Sequence, residues 1–268
     1  MTYIILTVII LFISAFLFYY IQYYFTFKPS IYREMDLDNE FEILHLKMDD
    51  GVTIEGVIYE PLELYRKLPS IHGTLLYFGG NYQDVIGLIK KMAISYPHVR
   101  IVTFNYRSFG KSGGRASEKK IFSDAIIISE FTKEKYGDFY IMGYSLGAGV
   151  ASFIAANIKA KGVFLIGPFD SFYGHVKERF SFFKRIPKLN LSRIFRYKFD
   201  NTTHVSKIES KTYIFASKSD KIMYIKNIRN LKEYVKNLAM YEEFDELTHY
   251  ELLWDKDILK IINGVMSE

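Results

Sequence analysis

Short hydrophobic runs alternate with amphipathic stretches along most of the chain. The runs predict strands at 41–47, 52–59, 74–78, 101–106, 139–143, 162–166, 212–216 and 240–244, and the amphipathic stretches predict helices at 85–95, 118–135, 146–158, 225–238 and 254–265. Strands that alternate with helices are typical of βαβ units around a mostly parallel sheet. The tripeptide DDG at 49–51 has the chemistry of a hairpin turn, so the first two strands should form an antiparallel edge. The pattern therefore predicts an α/β fold, with a mostly parallel central sheet flanked by helices.

The first 28 residues do not follow this pattern. Residues 2–27 carry no charged side chain, and about 20 apolar residues are enough to cross the hydrocarbon layer as a helix. Four tyrosines lie near the end of this segment, where aromatic rings favour the membrane interface: Tyr19, Tyr20, Tyr23 and Tyr24. A cleaved signal peptide would need a basic start and a small-residue cleavage site, and a core helix would show a polar face. We therefore predict a transmembrane anchor at 1–28 and one domain at 29–268.

The charge distribution bears on orientation and on partners. Lys28 and Arg33 follow the apolar segment and no basic residue precedes it. The positive-inside rule then places the domain on the cytoplasmic side, although two charges leave the opposite orientation open. The net charge of +5 is spread along the chain, which favours anionic surfaces over nucleic acid as partners. The chain has no cysteine and no cluster of metal-ligating residues, so we expect no disulfide, metal or cofactor.

One stretch, residues 169–205, interrupts the alternation of strands and helices. It is rich in Phe, Lys and Arg, as in RFSFFKRIPKLNLSRIFRYKF, and it is longer than an ordinary connection. We predict a helical insertion at this point. It could be a lid over a pocket, an amphipathic element resting on lipid, or helical packing over the edge of the sheet.

The pentapeptide GYSLG at 143–147 is the strongest candidate for chemistry. It fits the pattern Gly-x-Ser-x-Gly, and an apolar predicted strand precedes it while a small-residue predicted helix follows it. In that setting the serine stands on a sharp turn at the end of a strand and at the N-terminus of a helix, which stabilises developing negative charge. The sequence therefore predicts Ser145 as a nucleophile, and the backbone N–H of Leu146 as one donor to an oxyanion.

The segment GKSGG at 110–114 matches the same pattern. It follows a loop instead of a strand, and no predicted helix starts directly after it. It is not a P-loop, because that motif needs a glycine at the position that Asn105 occupies. We therefore expect Ser112 to be neither a nucleophile nor a phosphate ligand.

A serine hydroxyl needs a general base, and the matching acid and histidine are expected later in the chain. Asp220 follows the predicted strand TYIFA, and His249 follows the next predicted strand through a short loop. Parallel strands end at one edge of the sheet, so both side chains should reach the edge that carries Ser145. We predict that His249 is the general base and then acid, and that Asp220 fixes its tautomer and stabilises the imidazolium. His175 also follows the serine, and the Asp200–His204 pair in the insertion is an alternative.

A second donor to the oxyanion should come from the loop after an early strand. The segment GGNY at 79–82 follows the predicted strand at 74–78, and its glycines let the backbone approach a substrate closely. We assign this role to the backbone N–H of Asn81, with Tyr82 as the alternative.

Several stretches carry a family resemblance. They are LLYFGGNYQD, FNYRSFGKSGGRASE, IMGYSLGAGVA, ASKSDKIM, LTHYELL and RYKFDNTTHVSKI. Through them the chain, from about residue 41 to its end, resembles the membrane-anchored α/β-hydrolases of the serine-aminopeptidase-like group, which includes relatives of protein depalmitoylases. The first five look like that family's oxyanion loop, Asn-Tyr-Arg-Gly-Phe-Gly-x-Ser block, nucleophile turn, acid loop and histidine loop. Two positions depart from the family pattern, because Gly79 replaces a histidine and Thr248 replaces a frequent glycine before His249.

The resemblance implies an α/β-hydrolase fold and acyl transfer to water through an acyl-Ser145 intermediate. The expected substrate is an ester or a thioester, of lipid-like character because the enzyme is tethered to membrane lipid through its N-terminal helix. The alternative is a catalytically inactive membrane protein that keeps the hydrolase fold for protein interaction, since a fold alone does not establish activity. The presence of Ser145, Asp220 and His249 together argues against that alternative.

Overall fold

A computed structural model of the chain describes residues 2–30, 36–61, 73–180 and 195–268. The strands are β1 (Phe41–Lys47), β2 (Thr53–Tyr59), β3 (Thr74–Phe78), β4 (Arg100–Phe104), β5 (Phe139–Tyr144), β6 (Val163–Ile166), β7 (Thr212–Ser217) and β8 (Leu238–Phe244). The helices are α1 (Thr2–Thr26), α2 (Val85–Ser95), α3 (Glu118–Tyr136), α4 (Leu146–Ala155), α5 (Phe172–Arg179), α6 (Asn201–Val205), α7 (Ile225–Lys232), α8 (His249–Leu252) and α9 (Lys256–Ser267).

The strands form one sheet in the order β1-β2-β4-β3-β5-β6-β7-β8. β1 pairs antiparallel with β2, and β2 pairs antiparallel with β4. All pairs from β4 to β8 are parallel. The turn between β1 and β2 is closed by the Gly51 N–H, which donates to the Met48 carbonyl at 2.8 Å. The structure confirms the mostly parallel sheet and its antiparallel hairpin edge.

Helices cover both faces of the sheet. Leu75 and Leu76, neighbours in β3, belong to different buried clusters because successive side chains of a strand point to opposite faces. On one face Leu76 shares its cluster with residues of α3 and α4, such as Ile154. On the other face Leu75 shares its cluster with residues of α2 and α9, such as Ile89 and Ile262. The two faces together bury the parallel strands, as the apolar runs predict.

The predicted helix at 225–238 is too long. Helix α7 ends at Lys232, and β8 already begins at Leu238. The Thr212 N–H donates to the Asn237 carbonyl at 2.9 Å, and Leu238 is paired with Thr212. The chain therefore leaves the helix and pairs with β7, although Val235 and Leu238 continue the apolar spacing of the helix.

The predicted insertion at 169–205 is helical at both of its described ends. Helix α5 lies at its start and the short helix α6 lies at its end. Three aromatic side chains before α6 are buried, namely Phe195, Tyr197 and Phe199. The central part of the prediction, 181–194, lies outside the described residues.

Helix α1 is long and apolar enough to cross a membrane. Most of its described side chains are exposed, but its last turns lie against the domain. Tyr23 and Phe27 are 7% and 1% exposed, the Phe27 ring lies 4.8 Å from that of Tyr197, and Arg115 lies 4.1 Å over the Tyr23 ring. Protein side chains therefore enclose Tyr23, whereas Tyr19, Tyr20 and Tyr24 are exposed.

Candidate active site

Ser145 stands alone between the last residue of β5 and the first residue of α4. Its φ is +56°, a backbone conformation that costs a residue with a Cβ about 1–3 kcal/mol and persists only where the surrounding structure imposes it. The Ser145 N–H donates to the Ile166 carbonyl at 2.9 Å, which holds the turn against β6. The sharp strand-to-helix turn predicted for GYSLG is present.

The turn requires glycine at position 147. A Cβ on Gly147 would lie 2.0 Å from the Phe78 carbonyl oxygen, so a side chain here would push α4 away from the end of β3. The close approach sets the N-terminus of α4 beside the loop that follows β3. The first N–H groups of a helix have no partner within it, so the Leu146 N–H is available to an anion at this point.

His249 and Asp220 are hydrogen bonded. His249 Nδ1 lies 2.6 Å from Asp220 Oδ2, and the side chains are 8% and 0% exposed. The other carboxylate oxygen, Asp220 Oδ1, accepts the backbone N–H groups of Ile222 and Met223 at 2.7 and 2.8 Å. The carboxylate is thus fixed from two sides, and its orientation determines that of the imidazole. Asp220 follows β7 and His249 follows β8, as the sequence predicts.

Tyr144 connects this pair to the serine, a role that the sequence analysis missed. Its hydroxyl donates to the His249 carbonyl at 3.0 Å, and the two rings stack with their centroids 4.8 Å apart. Since Tyr144 directly precedes Ser145, the same side chain holds the histidine against the nucleophile turn. Nε2 of His249 is buried and has no hydrogen-bond partner within the described part of the chain. A neutral imidazole in this arrangement has its free nitrogen available as a base.

The loop after β3 is held by side chains on both sides. The Tyr106 hydroxyl donates to the Gly79 carbonyl at 2.8 Å. Gln83 Oε1 accepts both the Gly80 N–H at 2.7 Å and the Tyr77 hydroxyl at 2.8 Å. Position 79 carries a glycine, and these bonds supply rigidity to the loop.

Two of the three central N–H groups of this loop already have partners. Besides the Gly80 N–H, the Tyr82 N–H is engaged, because it donates to the Lys28 carbonyl at 3.2 Å. A Cβ on Gly80 would lie 3.4 Å from Ser145 Cβ, so the loop passes directly beside the nucleophile turn. These contacts favour Asn81 over Tyr82 as the donor from this loop.

Ser112 has a structural place. Its hydroxyl donates to the Asn105 carbonyl at 3.1 Å and accepts the Glu55 N–H at 2.9 Å. The only proton of this buried hydroxyl is therefore already engaged by a backbone group. The expectation that Ser112 is not a nucleophile agrees with this geometry.

The alternative pair in the insertion does not form a histidine–carboxylate bond. Asp200 caps α6 by accepting the Thr203 N–H at 3.4 Å and also binds the Thr202 hydroxyl at 2.7 Å. The His204 ring packs edge-on against Phe122 and Phe153, with centroids 5.6 and 5.3 Å away. His204 is therefore a packing residue.

His175, on α5, lies within the electrostatic reach of the His249–Asp220 pair. Burial lowers the pKa of His175 to about 4; the charges of Arg179 and His249 act in the same direction, and Asp220 opposes them. Its Nδ1 atom is buried without a partner among the described residues. No local pattern in the sequence indicates this placement, because His175 lies on a helix and not in a loop directly after a strand.

The depressed pKa of His175 predicts acid sensitivity. Between pH 6.5 and pH 4 the unfolded chain binds a proton at this side chain and the folded chain does not, so stability falls as the pH falls. Relative to a His175→Gln variant, the wild type should lose roughly 2–3 kcal/mol of unfolding free energy from pH 7.5 to pH 4.5. Urea unfolding of both proteins at the two pH values measures this. A difference in unfolding free energy between the two proteins that is the same at both pH values would contradict the prediction.

Sequence comparison finds curated relatives over part of the chain, while no family model matches. The chain is 35% identical to the lysophosphatidylserine lipase ABHD12 of Danio rerio over 108 residues, which cover 37% of this chain and 28% of that protein. It is 38% identical to the same-named protein of Mus musculus over 92 residues, which cover 32% and 23%. Protein ABHD12B of Homo sapiens is 32% identical over 94 residues, covering 34% and 25%. The matches span less than a third of the length of these relatives.

Solved structures resemble nearly the whole chain. The esterase Pf2001 of Pyrococcus furiosus has a TM-score of 0.67 at 14% identity, covering 90% of this chain and 98% of that chain. The esterase domain of a Rhodothermus marinus protein has a TM-score of 0.60 at 15% identity, covering 85% and 96%. XC6422 of Xanthomonas campestris, an α/β serine hydrolase without a lid, has a TM-score of 0.57 at 14% identity, covering 87% and 94%. The chain has the α/β-hydrolase fold.

Proposed function

We propose that this chain is a membrane-anchored serine hydrolase that cleaves carboxylic esters or thioesters through an acyl-Ser145 intermediate. One observation carries the proposal. A serine with φ of +56° stands at the N-terminus of a helix, and a buried His249–Asp220 pair, bonded at 2.6 Å, lies at the same edge of the sheet. Nucleophile, base and orienting acid are the three parts that acyl transfer by a serine requires.

In the acylation step, Ser145 Oγ attacks the acyl carbonyl carbon and His249 Nε2 takes the hydroxyl proton. Asp220 accepts a hydrogen bond from Nδ1–H and stabilises the imidazolium. The negative charge on the former carbonyl oxygen is stabilised by the N–H groups of Leu146 and Asn81. The tetrahedral intermediate then collapses, the bond to the alcohol or thiol breaks, and His249 returns the proton to that leaving group.

Deacylation repeats the same steps with water. His249 removes a proton from the water, whose oxygen attacks the acyl-enzyme carbonyl. The second tetrahedral intermediate expels the Ser145 oxygen, which takes the proton back from the imidazolium. The products are the free acid and the regenerated serine, so the cycle needs no metal and no cofactor.

Lipid-like acyl compounds are the proposed substrates. Helix α1 would hold the site close to a bilayer, and the partial relatives are named as lysophosphatidylserine lipases. A phospholipid with a single acyl chain is therefore the first substrate to test. The proposed orientation places the domain on the cytoplasmic side. A chain that cleaved short soluble acyl esters but never long-chain ones would contradict the lipid preference.

Covalent labelling with a fluorophosphonate probe tests the proposed function. The probe reacts only with a serine that a base activates, so the full chain in detergent should be labelled and Ser145→Ala should not. Ser112→Ala is the matched control, because Ser112 lies in the same five-residue pattern but already bonds two backbone groups.

The control variant should be labelled like the wild type. A folded wild-type protein that resists the probe would instead support the inactive, protein-binding alternative. Labelling that survives in Ser145→Ala and disappears in Ser112→Ala would overturn the assignment of the nucleophile.

A further inference from the structure

The side chain of Asn81 is bonded to the end of the membrane helix. Asn81 Oδ1 accepts the Lys28 N–H at 2.9 Å, and Asn81 Nδ2 donates to the Thr26 carbonyl at 3.0 Å. The Tyr82 N–H adds a third bond, to the Lys28 carbonyl at 3.2 Å. One loop, the loop that follows β3, thus binds the Thr26 carbonyl at the end of α1 and both backbone groups of Lys28 just beyond it.

The end of the helix is itself fixed on the domain. Phe27 is 1% exposed, and its ring lies 4.8 Å from Tyr197 and 6.3 Å from Phe199. Gln22 Oε1 accepts the Arg196 N–H at 2.7 Å. Aromatic packing on the segment before α6 therefore holds the atoms that Asn81 binds, and the bonds to Asn81 have a rigid base.

The same loop lies against the nucleophile turn. A Cβ on Gly80 would be 2.8 Å from the Tyr144 ring and 3.4 Å from Ser145 Cβ. A small shift of the loop would therefore move the Asn81 N–H relative to the acyl group on Ser145. Stabilisation of an oxyanion depends steeply on donor position, and a misplacement of about 1 Å can cost about a hundredfold in rate.

We infer that the C-terminal end of α1 is a positioning element of the active site: through the side chain of Asn81 it fixes the loop whose N–H binds the oxyanion. The inference rests on the proposed hydrolase function. The anchor then has two roles, to hold the enzyme on a membrane and to complete the geometry of its oxyanion hole.

The test uses the full chain in detergent with p-nitrophenyl butyrate, a soluble ester whose delivery needs no membrane. Asn81→Ala removes both side-chain bonds and keeps the backbone N–H that binds the oxyanion. Phe27→Ala removes the aromatic packing that holds the helix end and leaves the sequence of the loop unchanged. Each should lower kcat by about ten- to a hundredfold with little change in KM, because the lost stabilisation belongs to the transition state. The pH dependence of kcat should keep its midpoint, since His249 is untouched.

Phe18→Ala is the matched control. Phe18 also lies on α1 and packs against the segment before α6, with its ring 5.7 Å from Phe195, but it lies about two turns before Thr26, whose carbonyl the loop binds. Its kcat should equal that of the wild type. The double variant of Phe27 and Asn81 should be no slower than the slower single variant, because both changes break the same connection.

Each outcome decides the inference. A folded Asn81→Ala with wild-type kcat overturns it, as do losses that multiply in the double variant or a Phe18→Ala loss as large as that of Phe27→Ala. If Asn81→Ala does not fold, the comparison of Phe27→Ala with Phe18→Ala decides alone. A wild-type chain that hydrolyses no ester removes the proposed function and the inference together, whereas an active wild type with unaffected variants removes only the inference.

Discussion

Replacing His249 with alanine is expected to lower kcat for ester hydrolysis by about four orders of magnitude or more. A serine hydroxyl is a poor nucleophile at neutral pH and needs a base. The buried His249 Nε2 is the proposed base, and it has no hydrogen-bond partner among the described residues. KM should change little, since the imidazole acts on the proton of Ser145 and contributes little to binding of the acyl chain.

Asp220→Asn should approach the same loss. An amide in place of the carboxylate, 2.6 Å from Nδ1, can donate its own hydrogen to that nitrogen and so place the imidazole proton on Nε2, the tautomer that cannot act as a base. A comparable change in a serine protease costs about 10⁴-fold in kcat. Because the two residues act as a unit, the His249→Ala, Asp220→Asn double variant should be no slower than His249→Ala alone.

The matched control is His204→Ala, which removes a half-buried histidine whose ring packs on Phe122 and Phe153. The measurement is kcat and KM of the detergent-solubilised full chain, with circular dichroism to check the fold. A His249→Ala protein within tenfold of the wild type would remove His249 as the base. A large loss of kcat in His204→Ala, without one in His249→Ala, would assign the role of general base to His204 in the insertion.

The largest expected loss of stability follows replacement of Arg107 with methionine. Arg107 is 3% exposed, and its guanidinium makes two hydrogen bonds to Asp124, both at 2.7 Å, and two to Asp50, at 2.8 and 3.0 Å. It thereby joins the hairpin turn, the loop after β4 and helix α3. Removal leaves Asp124, itself 4% exposed, as a buried carboxylate without its cation, and such losses are typically about 3–5 kcal/mol.

Arg107→Lys should recover little of this stability, because an ammonium cannot make two paired bonds to each carboxylate. Lys120→Met is the control: Lys120 binds the same Asp50 carboxylate at 2.6 Å but is 45% exposed, so its removal should have a small effect. Urea unfolding followed by the fluorescence of the single tryptophan measures the three variants. An Arg107→Met protein as stable as Lys120→Met would show that the network contributes nothing.

The pH dependence of this network has a definite sign. Arg107 first, and then Lys120, hold the pKa of Asp50 well below its usual range. A depressed carboxyl pKa contributes stability that is complete above the ordinary value of about 4 and is lost as the pH falls below it. The stabilising contribution of Asp50 should therefore be complete at pH 6 and should decline as the pH falls below about 4.

Much of the architecture follows from local pattern. Apolar runs and turn residues predicted the strands and the hairpin, because the apolar pattern of a strand and the residues of a tight turn are local features of the sequence. The candidate chemistry is also visible in local sequence: a strand, a turn and a helix surround Ser145, and Asp220 and His249 each follow one of the last two strands. The geometry at these three residues agrees with the prediction, and their catalytic roles stay a proposal.

Contacts between distant segments could not be predicted in this way. The bonds between Asn81 and the end of α1 join residues 53 and 55 positions apart, and nothing in the loop sequence indicates them. The contact of Tyr144 with His249, and the placement of His175 near the His249–Asp220 pair, likewise depend on how whole elements pack. The predicted helix at 225–238 failed for the same reason, because pairing with β7 overrode the local spacing.

In the proposed membrane-anchored enzyme, the hydrogen bonds between the end of α1 and the loop after β3 hold the catalytic centre close to the membrane surface. An enzyme built in this way stays at a fixed height over the leaflet and meets lipid molecules by lateral diffusion. The substrate concentration that sets its rate is then the mole fraction of substrate in the membrane surface, and not the molar concentration of lipid in the sample. Rates measured in micelles would follow the ratio of substrate to detergent, and kinetic constants for this protein are best expressed per unit of surface.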